Sequence, residues 1–439
     1  MPTKILTEAP PERSRSWLWL LCGILLTATF LNYSNRFAFT QNALPVQESF
    51  NISEEGYGRL AGYFGLGFAC GGLVFGCLAD VMSVRWLYAI LVVVFSLAGI
   101  SHGLVSSFVG LGVARFVLGF FEAGHWPCAL RTTQRAFAPD QRTWANSLLQ
   151  SGASLGAVFT PLLVVGLYSW DPQQWRLSFF IVGALGLPWA VWWLVSVRES
   201  DVRRPVIQTD EFSEGSGEQR ELQEIPFSMV FRTRRWWLLL IVVVCINTVW
   251  HYIRVWMPVM LQKDHGYSAN FVQYFTSAYY AVTFLGALAS GALTAKLARA
   301  NWNVHRARLT VFLLFALMAS VAIPAAFMPA GIPLLASLLV VAFGSLGLFP
   351  IYYSLNQEIS ARNQGKVGGT LGFSTWALLY FVHPTVGRLV DNDPTIRPYL
   401  FAGVALGPLL AFAVLACFWG KRPTVTDAND FTGNKQNHD

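Results

Sequence analysis

Three arginines and one glutamate lie inside long apolar runs of the sequence. Arg36 is in LNYSNRFAFT, Arg115 and Glu122 are in ARFVLGFFEAGHWPCALR, and Arg254 is in NTVWHYIRVWMP. An ionisable group at bilayer depth costs at least about 2.5 kcal/mol on insertion scales, so it needs a partner or a water-filled cavity. If Arg36 and Arg254 approach one cavity, they would suit a ligand carboxylate, because a guanidinium binds a carboxylate through two parallel hydrogen bonds. Snorkelling of Arg36 or Arg254 to a membrane interface is the alternative.

Glu122 is a candidate proton carrier. It follows Arg115 by seven residues, or two helical turns, so both side chains face one side of a helix. A low dielectric disfavours the ionised form of Glu122, and a neighbouring guanidinium favours it. Protonation of Glu122 could therefore act as a switch. The alternative is a permanent structural ion pair. The Glu-x-x-His spacing from Glu122 to His125 binds metals when two copies converge. Because the sequence contains no second copy, no metal is expected, and His125 is interpreted as packed and hydrogen-bonded.

Neutral polar side chains accompany the arginines and complete the predicted substrate site. Asn32 and Tyr33 precede Arg36 by one helical turn and are expected on the same face. Hydroxyl and amide groups of this kind supply the hydrogen bonds that a hydroxyl-rich ligand needs. The other predicted substrate contacts are Asn35, Gln150, Asn247, His251, Tyr352, Tyr353 and Asn356.

Membrane-spanning helices must position these side chains. The 439 residues are 54% hydrophobic and 13% charged, with a mean hydropathy of +0.45, whereas soluble domains carry roughly 25% charged residues. A helix needs about 20 apolar residues to cross a bilayer. Runs of sufficient length occupy residues 17–43, 57–79, 86–104, 108–131, 144–168, 176–197, 236–261, 270–297, 308–328, 332–356, 366–390 and 397–419. The pattern predicts an all-α membrane protein with twelve transmembrane helices.

The runs fall into two six-helix halves. A polar tail (1–16) precedes the N-terminal half (17–198), a long charged loop (199–235) follows it, and the C-terminal half (236–420) ends in a second tail (421–439). Gln134, Gln141 and Pro161 recur at one common offset as Gln357, Gln364 and Pro384, which favours pseudo-symmetric, duplicated halves. Two such halves around a site at the bilayer midplane form a known transporter plan.

The distribution of charge predicts the orientation and the partners. The net charge is +7, and the basic residues gather in alternate short loops and in the tails. The positive-inside rule places those loops and both termini in the cytoplasm. Because the basic residues form no patch on a soluble domain, nucleic-acid binding is not expected. The expected partners are the lipid bilayer, a small-molecule anion and a proton, and the chain is expected to be a monomer.

Short motifs in both halves resemble those of the major facilitator superfamily. The segment GCLADVMSVRW resembles its loop signature through Gly76, Leu78, Ala79, Asp80 and Arg85. It departs from that signature at Val81, Ser83 and Val84, where a glycine and two basic residues are usual. The segments NYSNR, RFVLGFFEAGHWPCAL, WRLSFFIVGALGLPW and VWMPVML resemble the anion:cation symporter branch, particularly the hexuronate and sugar-acid transporters.

The resemblance implies proton-coupled symport of a small organic anion, such as a hexuronate or aldonate, across the inner membrane by alternating access. It implies that Arg36 holds the substrate carboxylate, that Glu122 carries the coupling proton beside Arg115, and that Gly76, Asp80 and Arg85 belong to a gating loop. It implies no cofactor besides the proton.

Asn35 stands where many members of the branch have an acid, which argues against a two-proton mechanism. Two alternatives stay open: a facilitator or uniporter of a neutral or other small metabolite, and a non-transporting membrane sensor. An enzyme is not expected, because the sequence shows no nucleophile–base pair, phosphate loop or paired metal ligands.

Overall fold

The computed structural model describes residues 14–137, 139–170, 174–202, 230–356, 359 and 364–419. Within these ranges every regular element is a helix, which confirms the predicted all-α class. The N-terminal part contains α1 (Arg15–Gln41), α2 (Ala43–Phe50), α3 (Glu54–Val81), α4 (Val84–Leu104), α5 (Phe108–Glu122), α6 (His125–Ala136), α7 (Pro139–Trp170), α8 (Trp175–Ala184), α9 (Gly186–Ser196) and α10 (Glu199–Val202).

The C-terminal part has the same kind of architecture. It contains α11 (Arg234–Lys263), α12 (Ala269–Arg299), α13 (Val304–Ser320), α14 (Ala322–Ala325), α15 (Ile332–Gly347), α16 (Phe349–Asn356), α17 (Gln364–Asn392), α18 (Arg397–Ala405) and α19 (Gly407–Phe418), with a 3₁₀ turn at Pro394–Ile396. Most of the predicted central loop and nearly all of both predicted tails lie outside the described residues.

Eleven helical segments in the described part of the chain are long and apolar enough to cross a membrane. They correspond to eleven of the twelve predicted spans; the remaining span, 366–390, lies within α17. That helix has 29 residues, so it is long enough, but it is less apolar than the others. Because α17 packs along α3 and carries Trp376 and His383 toward the centre of the protein, less of its surface has to be apolar.

Helix starts follow local sequence. The hydroxyl oxygens of Ser53, Ser107 and Ser268 accept backbone N–H bonds from residues three positions later, at the first turns of α3, α5 and α12. Serine caps of this kind satisfy N–H groups that the first turn of a helix leaves without partners. One interruption matters for function: α5 ends at Glu122, and α6 starts at His125 after a two-residue turn.

The two halves share a core at one end only. A single cluster of buried side chains joins Phe37 and Tyr57 of the N-terminal half to Trp256 and Phe401 of the C-terminal half. Two further clusters lie each within one half, one around Tyr88 and Trp193 and the other around Phe312 and Tyr352. The halves are therefore packed together at the end that contains the first residues of α3, which we name the closed end.

Glycines show where α3 and α17 approach and where they separate. A Cβ atom on Gly58 would lie 2.7 Å from the carbonyl carbon of His383, so only glycine allows this backbone contact. Farther along α3, no described atom lies within 4 Å of the Cβ position of Gly72 or Gly76. The same is true of Gly369 on α17. The halves therefore diverge at this opposite end, which we name the open end.

Ion pairs fasten the closed end across the halves. The Glu54 carboxylate accepts hydrogen bonds from Lys263 Nζ at 2.7 Å and from Arg397 Nη2 at 3.2 Å. The carboxylate of Asp391 accepts the backbone N–H groups of Glu54 and Glu55 at 2.9 and 2.8 Å. A residue of α17 thus caps the N-terminus of α3, where an anion is favoured by the helix dipole.

Candidate ligand site between the halves

A buried ion pair joins α1 to the end of α5. Arg36 Nε donates to Glu122 Oε2 at 3.1 Å, and Arg36 Nη2 lies 3.1 Å from the same oxygen. Arg36 is 5% exposed and Glu122 is fully buried. Asn32 supports both partners, because its Oδ1 accepts from Arg36 Nη2 at 3.3 Å and its Nδ2 donates to the Glu122 carbonyl at 3.1 Å. The face shared by Asn32 and Arg36 is therefore the face that meets the acid.

Aromatic rings surround the Arg36 guanidinium. Its central carbon lies 4.7 Å from the ring centroid of Phe68, 4.9 Å from that of Tyr33 and 5.2 Å from that of Phe64. A fourth ring, Trp376 of the C-terminal half, lies at 5.8 Å. Ring faces attract cations, and they do so more strongly where water is excluded. Arg36 is therefore held at this depth and does not extend along α1 to a membrane interface.

Arg115 does not pair with Glu122, so the pairing that the sequence predicted is wrong. Its guanidinium lies over the rings of Phe39 and Phe64, at 4.2 and 4.5 Å, and its Nε donates to the Leu60 carbonyl at 3.3 Å. Seven residues of helix separate the two backbone positions by about 10 Å along the axis. The Glu122 carboxylate is instead bound by Arg36, which reaches it from the neighbouring helix.

His125 lies in a hydrogen-bonded position inside the N-terminal half. Its Nε2 is 3.1 Å from Thr29 Oγ1, and its Nδ1 is 2.8 Å from the Tyr88 hydroxyl. Both ring nitrogens therefore have protein partners, as the packed interpretation of this residue requires.

The C-terminal half contributes Arg254 and His251 from α11. The His251 ring lies 4.3 Å from the ring of Trp376, and the Arg254 guanidinium carbon lies 5.7 Å from the same ring. Both residues are buried, at 5% and 6% exposure, so snorkelling does not describe Arg254 either. The Trp376 ring is thus approached by an arginine from each half, Arg36 and Arg254.

For three other predicted substrate contacts, the described part of the chain shows no hydrogen bond to Arg36, Glu122 or Arg254. Asn35 donates to the Leu31 carbonyl at 3.0 Å and packs against Gly99 of α4, inside the N-terminal half. Asn247 donates to the Val243 carbonyl of its own helix at 2.9 Å. Gln150 is exposed on α7.

The predicted contacts on α16 differ from one another. Tyr352 is buried in the core of the C-terminal half, and Asn356 is buried near Gly368 of α17. Tyr353 is 54% exposed and lies against the rings of Phe349 and Tyr352. Of the three, Tyr353 is the one whose side chain is accessible.

The predicted gating loop lies between α3 and α4 at the open end. Arg85 donates to the carbonyls of Leu194 and Val197 at 2.8 and 2.7 Å, and so binds the last turn of α9 within its own half. Cations at a helix C-terminus satisfy carbonyls that have no partner within the helix. Gly76 has open space around it, and the side chain of Asp80 lies outside the described set.

Several side chains at the site were not predicted from the sequence. Trp376, Phe64, Phe68, His383 and Tyr280 line it. Aromatic residues in an apolar run are typical of core packing, so the sequence carried no signal that separated these rings from the others. His383 in YFVHPTV is an ionisable residue in a span and could have been selected by the rule that selected His251.

Comparison with known proteins decides the family. The family model described as Major Facilitator Superfamily matches residues 25–384. The chain belongs to the Major Facilitator Superfamily. This membership, together with the membrane-spanning helices, makes it a multi-pass membrane transporter, and it confirms the predicted resemblance and the prediction that the chain is not an enzyme.

Within the superfamily, the chain is similar to proteins named as transporters of organic acids. The chain is 24% identical over 421 residues to the hexuronate transporter of Escherichia coli (strain K12), covering 94% of this chain and 96% of that protein. It is 24% identical over 397 residues to the probable sulfoacetate transporter SauU of Cupriavidus necator, covering 88% and 91%. Among solved structures, a D-xylose-proton symporter superposes with a TM-score of 0.72 at 15% identity, covering 92% and 98%, and this likeness concerns the fold.

Proposed function

We propose that this major facilitator imports a small organic acid together with a proton across a bacterial inner membrane. The observation that carries the proposal is the buried Arg36–Glu122 ion pair between α1 and α5. A guanidinium is the preferred protein partner of a carboxylate, and here it already holds one. The similarity to transporters named for hexuronate and sulfoacetate supports an anion as cargo.

Proton and substrate are linked in this proposal because they act on the same two groups. Glu122 Oε1 is buried and has no hydrogen-bond partner among the described residues, so it is the atom on which a proton would reside. A proton there removes the negative charge that binds Arg36. The guanidinium is then free to bind the carboxylate of the substrate, in the same ring cage and at the same depth.

The shape of the molecule supports alternating access to this pair. The halves are joined at the closed end and diverge at the open end, and the pair lies where the shared core gives way to the separate cores. The basic loops lie at the open end, so the positive-inside rule places that end and both termini in the cytoplasm. The structure then corresponds to the state that releases cargo inward.

The test is uptake of labelled galacturonate into proteoliposomes with an acidic exterior and a neutral interior. The wild type should accumulate the label above the external concentration, and Glu122→Gln should lose this accumulation. Glu122→Gln should still exchange internal for external galacturonate, because a neutral side chain leaves Arg36 available to the substrate. Glu48→Gln is the matched control, since Glu48 is exposed on α2 away from the site. Full proton-driven accumulation by Glu122→Gln would show that Glu122 does not couple transport to protons.

A further inference from the structure

The buried charges at the site do not balance within the described part of the chain. Arg36, Arg115 and Arg254 are each at most 6% exposed, and they interact electrostatically with one another and with Glu122. Glu122 is the one acidic residue, among those described, that forms an ion pair with any of the three. The site therefore carries an excess of two positive charges while Glu122 is ionised, and of three when Glu122 is protonated, as the proposed function requires for substrate binding. Unpaired buried charges are strongly unfavourable, so a ligand with two negative charges would offset more of this excess than a ligand with one.

Hydrogen-bond donors without partners surround Arg254. Arg254 Nε, His251 Nδ1, His383 Nδ1 and the Tyr280 hydroxyl are all buried and have no hydrogen-bond partner among the described residues. Their residues are each at least nine-tenths buried, and Arg254 interacts electrostatically with the other three. Native proteins rarely leave several buried polar atoms unsatisfied in one place. This group, on α11, α12 and α17, has the composition of a second acid-binding site.

Trp376 sets an upper limit on the spacing between the two sites. The guanidinium carbons of Arg36 and Arg254 lie 5.8 and 5.7 Å from the centroid of its ring, so their separation cannot exceed the sum of these distances. A chain of a few carbon atoms can span such a gap with one acid group at each arginine. The Trp376 indole, which both guanidinium groups approach, offers an apolar surface to the carbon chain.

We propose that the preferred substrate is a dianion, a short hydroxylated carbon chain with an acid group at each end. One acid group binds Arg36 of the N-terminal half, and the other binds Arg254, His251 and His383 of the C-terminal half. The inference rests on the proposed function, because it requires that Arg36 exchanges Glu122 for the substrate. It adds that the C-terminal half binds a second acid group of the substrate.

The test compares ligands that share a six-carbon skeleton and differ in the number of acid groups. Galactarate carries two, galactonate carries one and galactitol carries none, and all three are open chains; the gluco and manno series repeat the comparison. Binding to the purified full-length protein is measured by calorimetry. In at least one series the diacid should bind the wild type at least tenfold more tightly than the monoacid. Equal or weaker binding of the diacid in every series, or no binding by any compound, would overturn the proposal.

Variants assign the preference to Arg254. Arg254→Gln should weaken the diacid at least tenfold more than it weakens the monoacid, whereas Arg36→Gln should weaken both to a similar extent. Arg176→Gln is the control, because Arg176 lies over the rings of Phe50 and Trp175, away from the cluster. Arg254→Lys keeps the positive charge and replaces Arg254→Gln in the test if that variant does not fold. It should retain part of the preference for the diacid over the monoacid. A diacid preference that survives Arg254→Gln would contradict the assignment.

The outcomes separate this inference from the proposed function. Monoacid binding that depends on Arg36, without any diacid preference, would overturn the dianion and leave the organic-acid transporter intact. Binding of galactitol in preference to both acids would overturn both proposals.

Discussion

At the scale of single residues, Arg36 explains the polar interruption of the first apolar run. It is an arginine because it must satisfy several acceptors at once: the Glu122 carboxylate, the Asn32 amide oxygen and the faces of the surrounding rings. A guanidinium has five donors in a planar arrangement and stacks on rings, whereas an ammonium is a compact and strongly hydrated charge. The same reasoning applies to Arg254 against Trp376.

Arg36→Lys should therefore impair binding although it preserves charge. We expect at least a tenfold rise in the KM for galacturonate uptake, equivalent to about 1.4 kcal/mol. Binding weakens because the lysine ammonium lacks the planar donors of the guanidinium. It cannot donate hydrogen bonds to Asn32 and to the substrate carboxylate at the same time. Initial uptake rates in proteoliposomes measure it, with Arg176→Lys as the matched change at a ring-stacked arginine outside the site. An unchanged KM would mean that Arg36 acts only as a point charge.

Sequence reasoning found most of the ionisable residues of the site, but it missed His383 and did not identify all of the partners. Arg36, Glu122, Arg254 and His251 stand out because charge in an apolar run is rare and costly. The partner of Glu122 was assigned to its own helix, where spacing is visible, and the structure shows that it comes from α1. Contacts between helices depend on how the helices pack, and no residue spacing within one helix reports that.

At the scale of helices, the contact between α3 and α17 controls the closed end. Gly58 of α3 touches the backbone at His383 of α17, and Gly387 of α17 touches the backbone at Glu54 of α3. Small residues let membrane helices approach closely, and the gain is van der Waals contact and not hydrophobic burial. The same two helices carry Phe64, Phe68 and Trp376 to the site, so closure of this end and the ring cage are parts of one surface.

Gly58→Ala should loosen the closed end. The added methyl group would meet backbone atoms of His383 and Pro384, which cannot rotate away as a side chain can. We expect at least tenfold faster amide exchange in the peptides around residues 54–60 and 383–392, which corresponds to about 1.4 kcal/mol of lost protection. Hydrogen-exchange mass spectrometry measures this.

The control for Gly58→Ala is Gly72→Ala on the same helix, where the structure leaves room for a methyl group. Equal exchange in the two variants would show that the α3–α17 contact does not hold the closed end together.

The helical elements were predicted well from the sequence because membrane spans are long and apolar. Boundaries moved by a few residues. In α17, the polar residues Arg388 and Asp391 bind the start of α3, so residues that make this helix less apolar as a span also join the two halves. The breaks between α5 and α6, α8 and α9, α13 and α14, α15 and α16, and α18 and α19 were not predicted. Each break lies two to four residues before a proline, at Pro127, Pro188, Pro324, Pro350 and Pro408. Proline has no N–H to donate and its ring clashes with the carbonyl four residues earlier, so the sequence carried a signal for these breaks that the search for long apolar runs did not use.

At the scale of the whole molecule, one group of interactions joins the two halves and another forms the ligand site. Glu54 with Lys263 and Arg397, and Asp391 with the start of α3, hold the halves together at one end. Arg36 with Glu122 lies deeper, at the level where the halves begin to diverge. A transporter must break the first group to expose the second from the other side. The state captured here could not be read from the sequence, because alternative states of one chain differ by only a few kcal/mol.

In the proposed mechanism, Glu122 takes up a proton when Arg36 releases its carboxylate and binds that of the substrate. Linkage requires that, if a proton strengthens substrate binding, the substrate strengthens proton binding equally. The direct measurement is proton uptake by the purified protein in weakly buffered, mildly alkaline solution on addition of the tightest-binding sugar acid, followed with a pH-sensitive dye. We predict that the wild type takes up a proton for each molecule bound and that Glu122→Gln binds the acid without proton uptake. Binding by the wild type with no proton uptake, or equal uptake by both proteins, would contradict the account.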